Sequence, residues 1–419
     1  MLIVFLYLNP FFFTLMPNFI FVFKPDLVAR LRSIQLLSLC LLLVLCANSS
    51  LAKAADITVA GFSFAGDFKT AKERFPHSYS VFQEFSKSGS GKSLSFQILD
   101  RMKGVSNPSM TFSSLDAMVN LKNDQALMSV LVLTGETVST EGFGTYYKTF
   151  VNLRGDVLLF DYKSKNVVRS YPISVVMFDA TKTAPSSEEI TGFVKNLMVR
   201  EDGNGLITQF TRRMSSATLP SPSTRNIQIK QSEITPEALA FMPESLRQNP
   251  KIVETMLADA FASILAAKVG VSLLPTSIGH TLGTMSLRLE NGDDVVLKIG
   301  EGDYLFDIKL NKFAKIKSGE NNLGTSYVFG AYASIHFYEP TQNTQFIRTD
   351  LKNGEVKVFP AGQLSGEDFP SYEAAIRGLY LKFADALQGG DLKWINTAAS
   401  AKDINQQIDI TRNLIKASK

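Results

Sequence analysis

The residues Gly89-Ser90-Gly91-Lys92-Ser93 look like the end of a phosphate-binding loop, in which backbone N–H groups and a lysine hold the phosphates of a nucleotide. The complete motif needs a glycine five positions before Gly91, and Ser86 stands there. It also needs a strand leading into the loop, whereas residues 79–85 read as helical or irregular. We therefore predict a Ser/Gly turn in front of a helix.

The histidines and the oxygen-rich turns do not have metal-site spacing. His77, His280 and His336 are too far apart for local ligand pairs. Residues 202–205 and 291–294 contain oxygen ligands that calcium prefers, but neither segment has the full calcium loop with its closing glutamate. Because Asn-Gly and Asp-Gly pairs are turn formers, we predict turns at both places and no metal site.

The sequence also contains no motif for nucleophilic catalysis. There is no Gly-x-Ser-x-Gly, and the paired carboxylates Glu188 and Glu189 stand at a helix start, where the helix dipole favours them. Both cysteines, Cys40 and Cys46, lie in an apolar N-terminal segment that we expect to be removed. The sequence thus predicts no catalytic residue and no cofactor, although an active site assembled from distant residues stays open as an alternative.

An aromatic segment gives a more specific indication of a binding surface. Tyr332, His336 and Tyr338 share one side of an alternating strand, with Ser334 between them. Such a face suits contact with a partner protein or a sugar. Ordinary packing of the sheet against the last helix is the alternative.

The N-terminal segment indicates the compartment. Arg30 and Arg32 precede an apolar run at 34–45, which ends in the small residues Ala52 and Ala54 around Lys53. Basic, apolar and small-residue regions in that order are typical of a cleavable secretory signal, and we place the cut after Ala54. The expected location is periplasmic or secreted. The alternative is an uncleaved N-terminal anchor in the inner membrane.

The first stretch of the chain does not fit a signal peptide. Residues 1–29 are Phe-rich and largely apolar, whereas the basic region of a signal is normally short. We expect translation to start further downstream, at Met16 or near Val28. Lipidation is not expected, because Leu39 and Leu45 precede the two cysteines where a small residue is needed.

Composition indicates a globular protein. The chain has 419 residues, of which 45% are hydrophobic and 20% charged. Its formal net charge is +4, and the predicted leader carries most of that excess. The remainder is close to neutral, which disfavours electrostatic binding of nucleic acid.

A Ser/Thr/Pro-rich segment at 215–225 divides the chain into halves with the same order of elements. We interpret this order as a tandem duplication, with two unrelated domains as the alternative. The fold class is α+β, each domain being a mixed or antiparallel sheet with helices packed on one face. The expected parts are a leader at 1–54, domains at 55–214 and 226–390 joined by that linker, and a helical tail at 391–419.

Hydrophobic periodicity places the clearest helices. We predict helices over 186–200, 253–269 and 371–387. A further helix over 403–417 belongs to the tail. Its isoleucines are expected to dock on the second domain: Ile404, Ile408 and Ile410.

The first half resembles a known type of domain. Residues 128–138 have a strand-like pattern that contains Thr134-Gly135. Residues 157–168 have the pattern of a hairpin with Asp161 at its turn. Over residues 57–170 this resembles the α+β domain of the curli-secretion lipoprotein family and of TolB-type N-terminal domains, in which a strand ends in Thr-Gly. The sequence departs from the family pattern in two respects. It has no lipobox, and Asn166 stands at the hairpin tip where the family usually has glycine. The resemblance implies an α+β fold in the cell envelope and a role in assembly through protein contacts.

Together these observations predict an exported, non-enzymatic periplasmic protein that assists or scaffolds assembly of an envelope structure. An envelope protein is the expected partner; membrane contact would occur only through an uncleaved leader. The alternatives are a secreted small-molecule or glycan-binding protein and an exported hydrolase with a dispersed active site. A deep polar pocket with perturbed carboxylates would favour the hydrolase, and a broad apolar patch would favour assembly.

Overall fold

The computed structural model describes residues 54–87, 93–114, 127–142, 145–221, 223–276, 284–289, 292–322, 324–360 and 368–419. These residues belong to one compact unit that begins at Ala54. The fold is α+β and contains two five-stranded sheets, each with its own helices. Of the predicted signal-cleavage residues, Ala54 is the first described residue and Ala52 lies outside the described ranges.

The first sheet has the strand order β2-β1-β3-β4-β5. β1 pairs in parallel with both β2 and β3, and the pairs β3–β4 and β4–β5 are antiparallel. β4 is buried on both faces, because apolar side chains lie against it from either side. The strands are β1 (Ala55–Phe64), β2 (Met110–Ser114), β3 (Leu127–Gly142), β4 (Tyr147–Asp161) and β5 (Val167–Thr181).

Helices cover one face of this sheet. The predicted helix at 186–200 is confirmed as Ser187–Val199, and its start is a capping box in which Ser186 and Glu189 satisfy each other's backbone N–H groups. A short 3-10 turn, Phe68–Thr70, precedes the first helix. The helices are α1 (Ala71–Arg74), α2 (Pro76–Lys87), α3 (Leu94–Met102), α4 (Ser187–Val199) and α5 (Leu206–Ser216).

The second sheet has the order β12-β11-β10-β6-β7, with β6 parallel to β7 and β10. Its strands are β6 (Ile227–Ile234), β7 (Leu273–Leu274), β10 (Tyr304–Asn321), β11 (Gly324–Glu339) and β12 (Thr344–Pro360). The helices of this half are α6 (Pro236–Leu239), α7 (Glu244–Arg247), α8 (Pro250–Val269), α9 (Phe369–Gln388), α10 (Lys393–Ala398) and α11 (Ile404–Ala417). α8 and α9 pack on one face, which we call the inner face.

The two sheets have the same topology. In each, the first strand lies between a short parallel edge strand and the first strand of a three-stranded antiparallel meander. Helices separate the first strand from the edge strand in both halves. This arrangement fits a tandem duplication, which stays a prediction, as does the domain boundary at 215–225.

A hairpin from the second half covers the other face of the first sheet. It consists of β8 (Thr284–Arg288) and β9 (Asp294–Lys298), which pair with each other, and a single bridge joins Lys298 of β9 to Asn166 of the first half. Met285 and Leu297 pack with Val130 and Leu158 of the first sheet in a separate apolar cluster. The place of this hairpin on the first half depends on tertiary contacts.

The tail helix is confirmed, with one error in its apolar face. Ile404 and Ile408 are buried, whereas Ile410 is 41% exposed. Residues four apart share a helix face, and a residue two positions further lies nearly opposite. The buried face therefore continues through Thr411 and Ile415 instead.

Asp161 stabilises the turn of the hairpin that follows β4. The Asp161 Oδ1 atom accepts hydrogen bonds from the backbone N–H groups of Lys163 and Ser164. Lys165 has a left-handed backbone with φ of 61°. Within the described ranges, no helix has the length and apolar character needed to cross a membrane.

Candidate functional sites

A polar cleft lies between the two halves and has a volume of about 560 Å³. β3 and β4 form one wall. The other wall is one face of α8, where Lys251, Thr255 and Asp259 recur every fourth residue. The start of β8 closes one end through Thr284 and Ser286.

Arg154 reaches the cleft because Gly135 faces it across the strands. The register of β3 and β4 shifts between Leu133 and Gly135, so Thr134 forms a bulge. A Cβ atom at position 135 would collide with the Arg154 guanidinium. The resemblance expects the strand to end at the Thr-Gly pair. In this protein β3 instead continues to Gly142. Here the pair makes room for a buried arginine.

Arg154 and Asp259 form an ion pair between the halves. Arg154 Nε lies 3.1 Å from Asp259 Oδ2, and the two side chains are only 6% and 13% exposed. Neither this nitrogen nor Arg154 Nη1 has a partner with hydrogen-bond geometry among the described residues, and Asp259 Oδ2 has none either. The cleft thus contains charged atoms that protein neighbours do not fully satisfy.

Burial changes the proton affinity of two carboxyl groups in the cleft. It raises the pKa of Asp156 to about 7, with a further rise from the charge of Asp259; a hydrogen bond from Ser170 Oγ works in the opposite direction. Burial likewise raises the pKa of Asp259 to about 6, against the effect of Arg154. Both groups therefore titrate near neutral pH.

Glu136 also lines the cleft but has a structural task. Its two carboxylate oxygens accept hydrogen bonds from the backbone N–H groups of His77 and Ser78, at 3.0 and 2.7 Å, at the start of α2. The His77 ring is in turn 2.9 Å from Thr191 Oγ1. Of the other histidines, His280 lies outside the described residues.

The second sheet places all three predicted aromatic-face residues on its outer face, away from α8 and α9. The rings of His336 and Tyr338 stack with their centroids 4.5 Å apart. Asp307 on β10 lies opposite His336 across the strands, and its Oδ2 is 3.8 Å from His336 Nδ1. Burial lowers the pKa of His336, and the Asp307 charge opposes this effect. Tyr332 lies apart from this pair, with Ser334 between them.

A cavity of about 670 Å³ lies over this part of the outer face. In its lining, Lys309 Nζ lies 3.0 Å from Glu233 Oε2. The Ser334 hydroxyl donates to Asp350 at 2.5 Å and not to His336. The cavity therefore lacks the hydrogen-bonded serine and histidine of a nucleophile and its base.

Further along the same face, three cross-strand rows form a groove. Lys312, Tyr332 and Lys352 make the first row, and Ala314, Gly330 and Gly354 make the second. The third row is apolar and consists of Ile316, Val328 and Val356. Trp394 of α10 borders a cavity of about 300 Å³ at this place. We call these three rows the groove.

No group of three or more His, Cys, Asp or Glu side chains suited to a metal ion occurs in the described part of the chain. Asp202 instead accepts a hydrogen bond from the backbone N–H of Asn204, as in an ordinary turn. Residues 88–92 of the loop-like motif lie outside the described ranges, and Ser93 caps α3.

No motif or spacing pattern in the sequence identified the cleft residues. A signal for two of them was present, because Arg154 and Asp156 are the charged residues within the buried stretch of β4. Charged residues inside a fully buried strand need partners, so they indicate a site or a buried ion pair. Asp259, in an amphipathic helix pattern, gave no such signal.

Comparison with known proteins adds little. No protein-family model matches the chain, and no curated protein matches it. A crystal structure of a minor lipoprotein from Acinetobacter baumannii matches with 11% identity, covering 39% of this chain and 93% of that one, with a TM-score of 0.20. That neighbour is described as a lipoprotein and not as a curli-secretion or TolB-type protein, and at this TM-score it supports no argument about function.

Proposed function

We propose that this chain is an exported envelope protein that assists or scaffolds assembly by binding a segment of a partner protein in the groove. The segment would present apolar side chains flanked by acidic residues. The observation that carries this proposal is the exposed apolar row on the outer face of the second sheet.

The apolar row is unusually accessible. Ile316 is 58% exposed and Val356 is 63% exposed, and Val358 beyond them is 64% exposed. Contiguous exposed apolar side chains on a flat sheet are typical of interaction sites. The second row has little side-chain bulk, so a partner could approach the backbone of the sheet closely.

The positive charges beside the apolar row determine which kind of partner segment fits the groove. Lys312 and Lys352 flank Tyr332, and the Lys312 ammonium lies 4.9 Å from the centroid of its ring. Neither lysine forms an ion pair within the described residues. Unpaired positive charge beside an apolar strip complements a segment with both apolar and acidic residues.

Export rests on the signal-like pattern that ends at Ala54. If it operates, the protein in the periplasmic fraction begins at Ala55. N-terminal sequencing of that fraction checks this expectation, and recovery of a chain that still carries the leader, held in the membrane fraction, would contradict cleavage.

Site-specific crosslinking tests the groove. A photoreactive residue in place of Tyr332, in cells, should give one dominant product whose crosslinked peptide contains apolar and acidic residues. Val356→Asp and the pair Lys312→Glu/Lys352→Glu should abolish that product. The matched control is Val296→Asp on the hairpin, at a position that is 53% exposed, and it should leave the product intact. No product, a product unaffected by the groove variants, or a crosslink to a second copy of this chain would overturn the proposal.

One observation favours a second candidate, an exported hydrolase. The cleft contains two carboxyl groups whose pKa values are raised to about 7 and about 6, which suits general acid–base catalysis near neutral pH. This candidate expects the purified protein to hydrolyse chromogenic ester or glycoside substrates and Asp156→Asn to remove that activity. Equal turnover by the two proteins would exclude Asp156 as the catalytic group.

A further inference from the structure

Protein neighbours do not fully satisfy the hydrogen bonding of the Arg154–Asp259 ion pair at the cleft. Arg154 Nη1 has no hydrogen-bond partner among the described residues, and the same holds for Asp259 Oδ2. Their side chains are nine-tenths buried or nearly so, at 6% and 13% exposure. A buried polar group with an unfulfilled hydrogen bond is destabilising, and a ligand hydroxyl group beside it offsets that loss.

The surrounding charges restrict the ligand. An anion would lie against Asp156 and Asp259, and a cation would lie against Arg154. Lys251 and Arg74 add positive charge at the cleft. A neutral ligand avoids both the repulsion of an anion by the two carboxylates and the repulsion of a cation by Arg154, provided that it can donate and accept hydrogen bonds. A hydroxyl group does both, since it has one donor and two acceptor lone pairs.

We propose that the cleft binds a neutral polyhydroxylated ligand of the sugar class. Hydroxyl groups of the ligand exchange hydrogen bonds with the Arg154 guanidinium and the Asp259 carboxylate, which line the cleft. This site is separate from the groove and does not depend on the partner proposed above.

The rest of the cleft fits such a ligand. The volume of about 560 Å³ falls within the range of small-molecule sites, about 300–1,000 Å³. Additional hydroxyl groups line it, which can exchange hydrogen bonds with a sugar in either direction. They belong to Thr134, Thr255, Thr276, Thr284 and Ser286.

Calorimetric titration of the purified chain tests the proposal. The neutral probes are glucose, N-acetylglucosamine and its β-1,4-linked disaccharide; the charged comparisons are gluconate and glucosamine. We expect at least one neutral probe to bind and to raise the melting temperature, with the charged compounds about tenfold weaker or more. Preference for the disaccharide would indicate a glycan chain as the source, and preference for a monosaccharide a free sugar.

A double variant separates binding from folding. Arg154→Met/Asp259→Leu replaces both charges by apolar groups of similar size, a change that buried ion pairs often tolerate. It should stay folded by circular dichroism and lose sugar binding, whereas Val356→Asp in the groove should bind sugar normally. Failure of all neutral probes, tighter binding of a charged compound, or unchanged affinity in the folded double variant would overturn the proposal. If the double variant does not fold, Asp259→Asn replaces it in the titration. Undiminished sugar affinity in Asp259→Asn would also overturn the proposal.

Discussion

Arg154 on β4 and Asp259 on α8 meet at 3.1 Å in the interior, and each comes from a different half of the chain. The pair therefore fixes α8 against the first sheet. It also determines the position of the cleft, which is lined by both residues.

Removing one member of this pair should be more damaging than removing both. Arg154→Met leaves Asp259 buried without its counter-charge, and we expect a loss of about 3–5 kcal/mol in the free energy of unfolding. Arg154→Met/Asp259→Leu should recover most of that loss. Urea denaturation of both variants measures the difference, and a double variant as unstable as the single one would show that packing and not charge dominates.

Stability should fall as the pH rises through the neutral range. Asp156 has a pKa of about 7 in the folded protein against an ordinary value of 3.8, so folding favours its protonated form. Its contribution is complete below about pH 4 and is lost as the pH approaches about 7. Asp259, with a pKa of about 6, acts in the same direction over a slightly lower range.

Denaturation at about pH 5 and about pH 8 measures this dependence. Asp156→Asn mimics the protonated carboxyl group, so the variant should lose less stability than the parent over the same interval. A parent protein that is more stable at the higher pH, with the same slope in the variant, would refute the assignment.

Gly61 should not tolerate a side chain. Its φ is +85°, and a Cβ atom would collide with Ser95 on α3, whose hydroxyl accepts a hydrogen bond from the Phe62 N–H at 3.0 Å. Gly61→Ala should therefore lower the free energy of unfolding by about 2 kcal/mol or more.

Gly192 is the matched control for that substitution. It lies in α4, and a Cβ atom there would meet nothing within 4 Å. Gly192→Ala should raise the free energy of unfolding by up to about 1 kcal/mol, because alanine favours the helix. Equal effects of the two substitutions in chemical denaturation would contradict this account of Gly61.

Arg169 should make the fold depend on Ser418 and Lys419. The Arg169 side chain is among the largest that are fully buried, and it donates hydrogen bonds to the backbone oxygens of these two residues at 3.2 and 2.6 Å. Deleting residues 418–419 leaves a buried guanidinium without these acceptors. We expect a loss of about 2–3 kcal/mol, measured by thermal or urea denaturation.

Alanine substitution provides the control. Ser418→Ala/Lys419→Ala keeps both backbone oxygens and should be much less destabilising than the deletion. If the two variants lose the same stability, the side chains and not the acceptors for Arg169 are responsible.

Local patterns predicted many elements correctly. The capping box of Ser186 and Glu189 marked the start of α4, and the spacing of apolar residues marked α8, α9 and α11. Such signals succeed because capping and periodicity involve residues only a few positions apart. Ile410 was misplaced because it lies two positions after Ile408, and a helix turns such a residue nearly to the opposite face.

The sequence by itself determined the α+β class, the principal helices and strands, and the shared side of Tyr332, His336 and Tyr338, because these follow from side-chain spacing along one element. Only the tertiary structure decided that β8 and β9 cover the first sheet, that Gly135 admits Arg154, and that Asp259 completes the cleft. Each of those contacts joins residues separated by long stretches of chain or by strand register, and packing selects them through burial of apolar surface and pairing of buried charge.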